Sequence, residues 1–163
     1  MSSAPKPREI ILVTAGADDL DDVMSIMKQA FSPDFGEAWT RSQCAGILPM
    51  SGVVMMLARG GHGEALGFSL LRTVADEAEL LLIGVIPHSR RCGIGKALID
   101  HFINHSTTWG ATRLHLEVRD GNVAIAMYQL AEFELAGRRR NYYRGTNGEL
   151  FDALTLVRTS SEV

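Results

Sequence analysis

The sequence of 163 residues predicts a mixed α/β (α+β) fold, with a mostly antiparallel sheet of about seven strands and helices on both faces. Two observations favour this fold. Short apolar runs with strand character follow one another between residues 53 and 86, separated only by turn-forming residues, which is typical of an antiparallel meander. After residue 86, strand patterns alternate with helical ones, and we expect about four helices along the whole chain.

Composition and charge limit the class of protein. Hydrophobic residues make up 46% of the chain and charged residues 21%, as in an ordinary globular domain. The formal net charge of -3 does not favour non-specific binding to nucleic acid. Cys44 and Cys92 are too few for a disulfide framework and lack metal-ligand spacing, so we expect a reducing, cytoplasmic setting. Because the sequence has neither a membrane-span pattern nor a signal-peptide pattern, no membrane partner is expected.

We expect residues 9–158 to form one domain, because no repeat or linker divides the chain. Residues 1–8 are rich in Ser and Pro and are predicted to be a flexible tail, with a second short tail over residues 159–163. For assembly we expect a monomer or a weak dimer.

The first elements of the chain are predicted to be a strand and two helices. Residues 9–15 have strand character, and Asp18 or Asp19 can cap the helix that follows. A second, short helix is predicted over residues 40–48. The first helix is predicted from apolar residues at helical spacing: Leu20, Val23, Met24, Met27, Ala30 and Phe31.

The remaining elements are six strands and two helices. The helix that begins at the glycines of residues 93 and 95 should end near Trp109, and Asn122 is a possible N-cap of the last helix. Residues 113–118 alternate between apolar and polar side chains, which predicts a strand with one buried face. The other strands are predicted over residues 53–59, 65–74, 79–86, 135–143 and 151–158, and the last helix over residues 124–130.

A glycine-rich segment lies between the strand that ends near residue 86 and the next helix. It has the sequence Arg90-Arg91-Cys92-Gly93-Ile94-Gly95-Lys96 and follows Pro87, which ends the strand. Such a turn exposes unpaired N–H groups at the positive end of a helix dipole, and three cationic side chains add charge. The segment therefore predicts a site for a phosphate-bearing ligand.

Two common phosphate-binding motifs do not fit this segment. A nucleotide P-loop needs Gly where Arg90 stands and Ser or Thr where Ala97 stands. A dinucleotide fingerprint needs Gly or Ala at the position of Leu98. The spacing Arg-x-x-Gly-x-Gly remains, formed by Arg90, Gly93 and Gly95, with a solvated strand–helix turn as the alternative.

This spacing resembles the acyl-CoA pyrophosphate loop of the GCN5-related N-acetyltransferases (GNAT). Residues 9–158 follow the element order of that superfamily and most resemble its bacterial ribosomal-protein-alanine N-acetyltransferase (RimI) branch. The chain departs from the family in two places, since Asn122 to Tyr128 is one residue shorter and Glu132-Phe133 stands where the family has Gly-Phe. The segments that carry the closer resemblance are Glu37-Ala38-Trp39-Thr40, Ile83-Gly84-Val85-Ile86-Pro87, Leu116-Glu117-Val118-Arg119, Ala126-Met127-Tyr128, Arg139-Arg140-Asn141-Tyr142-Tyr143 and Asp152-Ala153-Leu154.

The resemblance implies the GNAT fold and direct acetyl transfer from acetyl-CoA, the cosubstrate, without a metal. As acceptor it implies the N-terminal α-amino group of a protein, in particular of a ribosomal protein. An acetyltransferase for a small amine and a non-catalytic acyl-CoA-binding domain are the alternatives. The residues that it implies for acetyl-CoA binding are Ile83, Gly84, Val85, Arg90, Arg91, Cys92, Gly93, Ile94, Gly95, Lys96 and Asn122.

Two residues are candidates for the proton transfers. Glu117 is the candidate general base. Because a glutamate has a reference pKa of about 4.3, burial would have to raise that pKa, or water would have to relay the proton. Tyr128 is the candidate general acid, whose phenol can protonate the leaving thiolate. The alternatives are a solvated strand glutamate and a core tyrosine.

The acceptor is expected to meet aromatic and arginine side chains. Aromatic rings can clamp a peptide backbone, and arginines can recognise carbonyl or carboxylate groups. The alternatives are a solvated strand edge whose aromatic residues belong to the core and, for Trp39, packing of the second helix. The predicted acceptor-binding residues are Trp39, Arg140, Tyr142 and Tyr143, with Arg138 and Arg139 beside them.

Overall fold

The computed structural model describes residues 9–160, which form seven strands and four α-helices and confirm the predicted fold class. Thr159, predicted to begin the C-terminal tail, is the last residue of a strand instead. Residues 1–8 and 161–163 of the predicted tails lie outside the described residues. The strands are β1 (Ile11–Ala15), β2 (Val53–Arg59), β3 (Ala65–Val74), β4 (Glu77–Val85), β5 (Arg113–Arg119), β6 (Glu134–Arg144) and β7 (Leu150–Thr159). The helices are α1 (Leu20–Ala30), α2 (Arg41–Ile47), α3 (Ile94–Thr108) and α4 (Ile125–Leu130).

All seven strands belong to one sheet, in the order β1-β2-β3-β4-β5-β7-β6. The first four form the predicted antiparallel meander. β4 and β5 are parallel, and α3 connects them. β7 lies between β5 and β6 and is antiparallel to both. The sheet is therefore mixed but mostly antiparallel, as predicted.

The helices cover both faces of the sheet. Consecutive residues of a strand point to opposite faces, and in β3 Leu70 and Leu71 belong to different core clusters. Leu70 packs with residues of α1 and α2 around the buried ring of Phe68. Leu71 packs with residues of α3 and α4, where Phe102 stacks on Phe133 with ring centroids 6.4 Å apart. No helix within residues 9–160 is long and apolar enough to cross a membrane.

Local sequence determines where the short helices begin. Thr40 caps α2, since its side chain accepts a hydrogen bond from the N–H of Gln43 at 3.1 Å and the Gln43 side chain accepts from the N–H of Thr40 at 2.8 Å. At α4 the prediction of Asn122 as the N-cap is wrong, because the N-cap position is Ala124. The Oδ1 atom of Asn122 instead accepts from the N–H of Ala124 at 2.8 Å, in the turn before the helix.

β4 contains a β-bulge at Leu81. On β3, Leu70 is opposite Leu82 and Leu71 is opposite Leu80, so Leu81 has no partner. The parallel pairing of β4 with β5 ends at the same place, with Leu80 opposite Leu116. Because a bulge bends and twists its strand, β4 diverges from β5 beyond this point. The gap between residues 81–85 and residues 117–119 is called the β4–β5 opening below.

The loop between α1 and α2 packs directly on the β6–β7 hairpin. The N–H of Thr146 donates to the carbonyl oxygen of Pro33 at 3.1 Å. Gly36 has a φ of +70°, and a Cβ atom there would overlap the backbone carbonyl group of Arg144. A Cβ atom on Gly145 would overlap the backbone carbonyl of Asp34 in the same way. Because neither residue has a side chain, the backbone of the loop can pack directly against the hairpin. The loop therefore lies over the end of the sheet that carries the β4–β5 opening.

Replacing Gly36 with Ala is expected to lower the free energy of unfolding by about 1–3 kcal/mol more than replacing Gly148 with Ala. Both glycines have a left-handed φ, +70° and +86°, so both variants are strained, but a Cβ atom on Gly148 would meet nothing within 4 Å. Urea unfolding of the two variants measures the difference. Equal losses would contradict tight packing of the loop on the hairpin.

Candidate functional site

The β4–β5 opening brings together the predicted acetyl-CoA strand and the candidate base. Ile83 and Val85 are partly buried and Gly84 is buried, all on β4 beyond the bulge. A Cβ atom on Gly84 would come within 2.9 Å of the Phe68 ring and 3.3 Å of the Ala30 Cβ, so this stretch of β4 lies close against the end of α1. Glu117 is the first residue of β5 after its last pair with β4.

The glycine-rich loop leads directly from β4 to the N-terminus of α3. Arg91 and Gly93 both have a left-handed backbone, with φ of +64° and +82°. The first helical hydrogen bond runs from the N–H of Ala97 to the carbonyl oxygen of Gly93, so the N–H groups of Ile94, Gly95 and Lys96 precede it. No side chain within residues 9–160 caps this helix. These backbone donors, at the positive end of a helix of 15 residues, suit an anionic group.

Two of the three cationic side chains of the loop, those of Arg90 and Lys96, are paired with other protein groups. Nη2 of Arg90 donates to the carbonyl oxygen of Ala30, at the end of α1, at 2.9 Å. Nζ of Lys96 pairs with Asp100, one turn further along α3, at 2.7 Å. Arg91 and Cys92 are exposed. Two of the three cationic side chains of the loop therefore already have protein partners, whereas the backbone N–H groups at the start of α3 precede its first helical hydrogen bond.

Glu117 is largely buried, with 11% of its side chain exposed, and both carboxylate oxygens have partners. Nε of Arg139 donates to Oε1 at 2.9 Å, and the hydroxyl of Thr155 donates to Oε2 at 2.8 Å. The hydroxyl of Tyr143 donates to the backbone oxygen of Glu117 at 3.4 Å. The alternative of a freely solvated strand glutamate does not describe this residue, because the protein fixes its orientation.

Tyr128 is a buried residue of the core between α3, α4 and the sheet, with 4% of its surface exposed. Its ring packs edge-on against Phe133 at a centroid distance of 6.2 Å. Burial, and next the negative charge of Glu37, raise the pKa of Tyr128 above its ordinary value. The same two causes lead in raising the pKa of Tyr143. Both phenols therefore stay protonated at neutral pH and can act as donors.

A second carboxylate, Glu37, lies beside the opening, although the sequence did not predict it as a site residue. Nε of Arg119 donates to its Oε1 atom at 3.2 Å, and Nδ2 of Asn122 donates to its Oε2 atom at 2.9 Å. The guanidinium carbon of Arg119 is 3.7 Å from the centroid of the Phe35 ring. Glu37 and Arg119 both lie in segments that resemble the family, but nothing in their spacing shows that they pair. Asn122, predicted to bind acetyl-CoA, is held on both sides of its amide by protein groups.

The predicted acceptor-binding residues lie in two places. Trp39 is partly buried and packs against the core cluster that contains residues of α1 and α2. Residues 140–142 form a three-residue bulge in β6, opposite Asp152 of β7, and Asn141 has a φ of +54°. Arg140 and Tyr142 are exposed on this bulge, next to the partly buried Tyr143.

The bulge is held by its own ion pairs. Asp152 accepts from the N–H of Asn141 at 3.0 Å and from Arg138 at 2.9 Å. Arg138 also pairs with Asp120 at 2.7 Å. Arg138 therefore supports the bulge, whereas Arg139, the next residue, reaches the candidate base.

Comparison with known proteins shows the family and the fold of this chain. The sequence model of the Acetyltransferase (GNAT) family matches residues 20–133. The chain belongs to this family, which confirms the resemblance inferred from the glycine-rich loop. A crystal structure of the ribosomal-protein-S18-alanine N-acetyltransferase from Escherichia coli superposes with a TM-score of 0.84 at 29% identity, over 95% of this chain and 96% of that one.

Relatives by sequence include two enzymes named ribosomal protein bS18-alanine N-acetyltransferase. The one from Escherichia coli (strain K12) is 42% identical over 88 residues, and the match spans 53% of this chain and only 60% of that protein. The one from Haemophilus influenzae is 30% identical over 143 residues, 82% of this chain and 98% of that protein. A mycothiol acetyltransferase from Clavibacter michiganensis is 28% identical over 150 residues, 88% of this chain and 49% of that protein.

Above pH 10, the stability of the wild-type protein should fall more steeply with pH than that of a Tyr128→Phe variant. The unfolded chain loses a tyrosine proton near its reference pKa of about 10, while the raised pKa keeps Tyr128 protonated in the folded state. The unfolded state then binds fewer protons, so stability falls with rising pH, by about 1.4 kcal/mol per pH unit for this residue.

Urea unfolding at a series of pH values measures both slopes. The two proteins should give parallel curves between about pH 7 and pH 9, where no tyrosine proton is released in either state. They should diverge above pH 10. Curves that stay parallel at alkaline pH would contradict the burial of the Tyr128 hydroxyl.

Proposed function

We propose that this protein is an N-acetyltransferase that transfers the acetyl group of acetyl-CoA to the N-terminal α-amino group of a protein, with the alanine N-terminus of ribosomal protein bS18 as the preferred acceptor. The observation that carries the proposal is the position of Glu117, a mostly buried carboxylate, at the β4–β5 opening. On the other side of this opening, β4 continues into the loop at the N-terminus of α3. The names of the two bS18-alanine relatives support the choice of acceptor.

The residues around the opening fit acetyl-CoA. The N–H groups of Ile94, Gly95 and Lys96 would bind its pyrophosphate, because they precede the first hydrogen bond of α3 and no described side chain occupies them. A Cβ atom on Gly95 would come within 2.8 Å of the Met127 sulfur, so this glycine also lets α3 and α4 pack closely. The backbone of residues 83–85, on the side of β4 that β5 has left, would bind the pantetheine arm.

The chemistry divides between two side chains. The acceptor amine attacks the thioester carbonyl carbon, a C–N bond forms, and the C–S bond breaks. Glu117 accepts the proton that the ammonium group must lose, directly or through water. The Tyr128 hydroxyl, which is protonated at neutral pH, donates a proton to the leaving thiolate. Tyr142 and Tyr143, together with Arg140 on the bulge of β6, would contact the first residues of the acceptor.

The test is release of CoA from acetyl-CoA in the presence of a panel of acceptors. The panel holds peptides that begin with Ala, Ser, Met or Gly, the same peptides α-acetylated, free lysine, spermidine and an aminoglycoside. We expect release with the free α-amino peptides, fastest for Ala, and none with the acetylated ones. Release with a small amine alone would contradict the proposed acceptor and favour a small-molecule enzyme, as the similarity to mycothiol acetyltransferase would allow.

The same assay tests the candidate base. Glu117→Gln keeps the shape of the side chain but removes its basicity, and should lower turnover at neutral pH by about 10²-fold to 10⁴-fold with unchanged affinity for acetyl-CoA. Glu77→Gln is the matched control, because Glu77 is an exposed partner of Arg113 at the opposite end of β4. Equal turnover in the two variants would remove Glu117 from the mechanism.

A further inference from the structure

The ion pair between Arg139 and Glu117 joins two side chains in very different surroundings. Glu117 is 11% exposed, whereas the Arg139 side chain is 63% exposed. The contact is a single hydrogen bond from Nε to Oε1 at 2.9 Å, not the two-point fork that a guanidinium can make with a carboxylate. A mostly buried carboxylate is thus neutralised by a largely exposed arginine that reaches it from the solvent side.

Small side chains allow Arg139 to reach this position. Glu117 of β5 is opposite Thr155 of β7, and Thr155 is opposite Gly137 of β6. Arg139 starts two residues further along β6, opposite Ala153. Gly137 has no side chain and Ala153 has only a methyl group. The Arg139 side chain can therefore extend over β7 and reach Glu117 at the β4–β5 opening.

We propose that Arg139 is an internal counter-ion that occupies the place of the acceptor's α-ammonium group at Glu117, and that the acceptor displaces it on binding. This inference rests on the proposed function, because it assumes that a free α-amino group is the acceptor. Arg139 is then a positioning residue, which acts on the affinity for the acceptor and not on the chemical step.

The exchange replaces one cation at Glu117 with another. Because the Arg139 side chain lies mostly in solvent and makes one hydrogen bond to Glu117, water can replace Glu117 as the partner of the released guanidinium group. An ammonium group has three N–H donors and can replace the single Nε–H bond to Oε1. The bond from Thr155 to Oε2 is independent of Arg139 and keeps the carboxylate oriented during the exchange. Without any cation, the largely buried carboxylate would be left with Thr155 alone.

After displacement, Arg139 would stay close to Tyr142. Its guanidinium carbon is already 6.0 Å from the centroid of the Tyr142 ring. Once released from Glu117, the guanidinium group would remain beside the exposed bulge of residues 140–142, where the peptide chain of the acceptor is proposed to lie.

The variant Arg139→Gln tests the exchange in the CoA-release assay with a peptide that begins with Ala. Without its competitor, the α-ammonium group should bind more tightly, so we expect the KM for the peptide to fall about threefold to fivefold, with kcat within twofold of wild type. Arg139→Lys keeps a cation that can make one hydrogen bond, and should restore the KM. Arg113→Gln removes the same charge from an exposed pair at the start of β5 and should leave both constants unchanged.

Product inhibition separates competition for Glu117 from a general change in the groove. The α-acetylated peptide has no ammonium group, so its inhibition constant should be the same for wild type and Arg139→Gln. An unchanged or higher KM in Arg139→Gln, a fall in kcat at constant KM, or a matching change in the inhibition constant would each overturn the inference while leaving the proposed function in place. If the wild-type protein acetylates no α-amino peptide at all, the proposed function fails, and this inference fails with it.

Discussion

The separation of β4 from β5 is the constraint on which the rest of this structure depends. It begins where the bulge at Leu81 ends the regular pairing, with Leu80 opposite Leu116 as the last pair. The backbone N–H and C=O groups of a central strand ordinarily form hydrogen bonds with both neighbouring strands. Within residues 9–160, the end of β4 pairs with β3 alone, at the middle of the sheet and shortly before the N-terminus of α3. The backbone of one segment and the dipole of the next can therefore bind parts of the same extended ligand.

Two largely buried carboxylates, each paired with an arginine, lie on the β5 side of this opening. Charges that leave water need partners, and the structure supplies them across long sequence distances, Glu37 with Arg119 and Glu117 with Arg139. The two pairs differ in how firmly they are held. Arg119 is 13% exposed and lies against the Phe35 ring, whereas Arg139 is 63% exposed. The first pair is suited to fix the loop that carries Glu37, and the second is suited to exchange with a ligand.

Much of the fold could be predicted from the sequence, because periodicity is local. The predicted bounds of β2 and β3 match the structure, and the strand, loop and helix around Gly93 follow the predicted order. The bulge at Leu81 could not be predicted, since it lies in the uniform run from Leu80 to Ile83 and depends on the register with β3. The side-chain partners of the site were missed for a similar reason. Glu37 meets Arg119 across 82 residues, and no spacing rule connects them.

Hydrogen exchange of the backbone amides, followed by mass spectrometry with and without CoA, tests the central claim most directly. If the opening binds the cofactor arm and α3 binds its pyrophosphate, saturating CoA should slow exchange in residues 81–85 and 91–96, while β1, at the far edge of the sheet, serves as an internal reference and stays unchanged. Protection confined to other segments, or no protection of residues 81–85 although CoA is bound, would contradict the claim that the separated strands form the binding site.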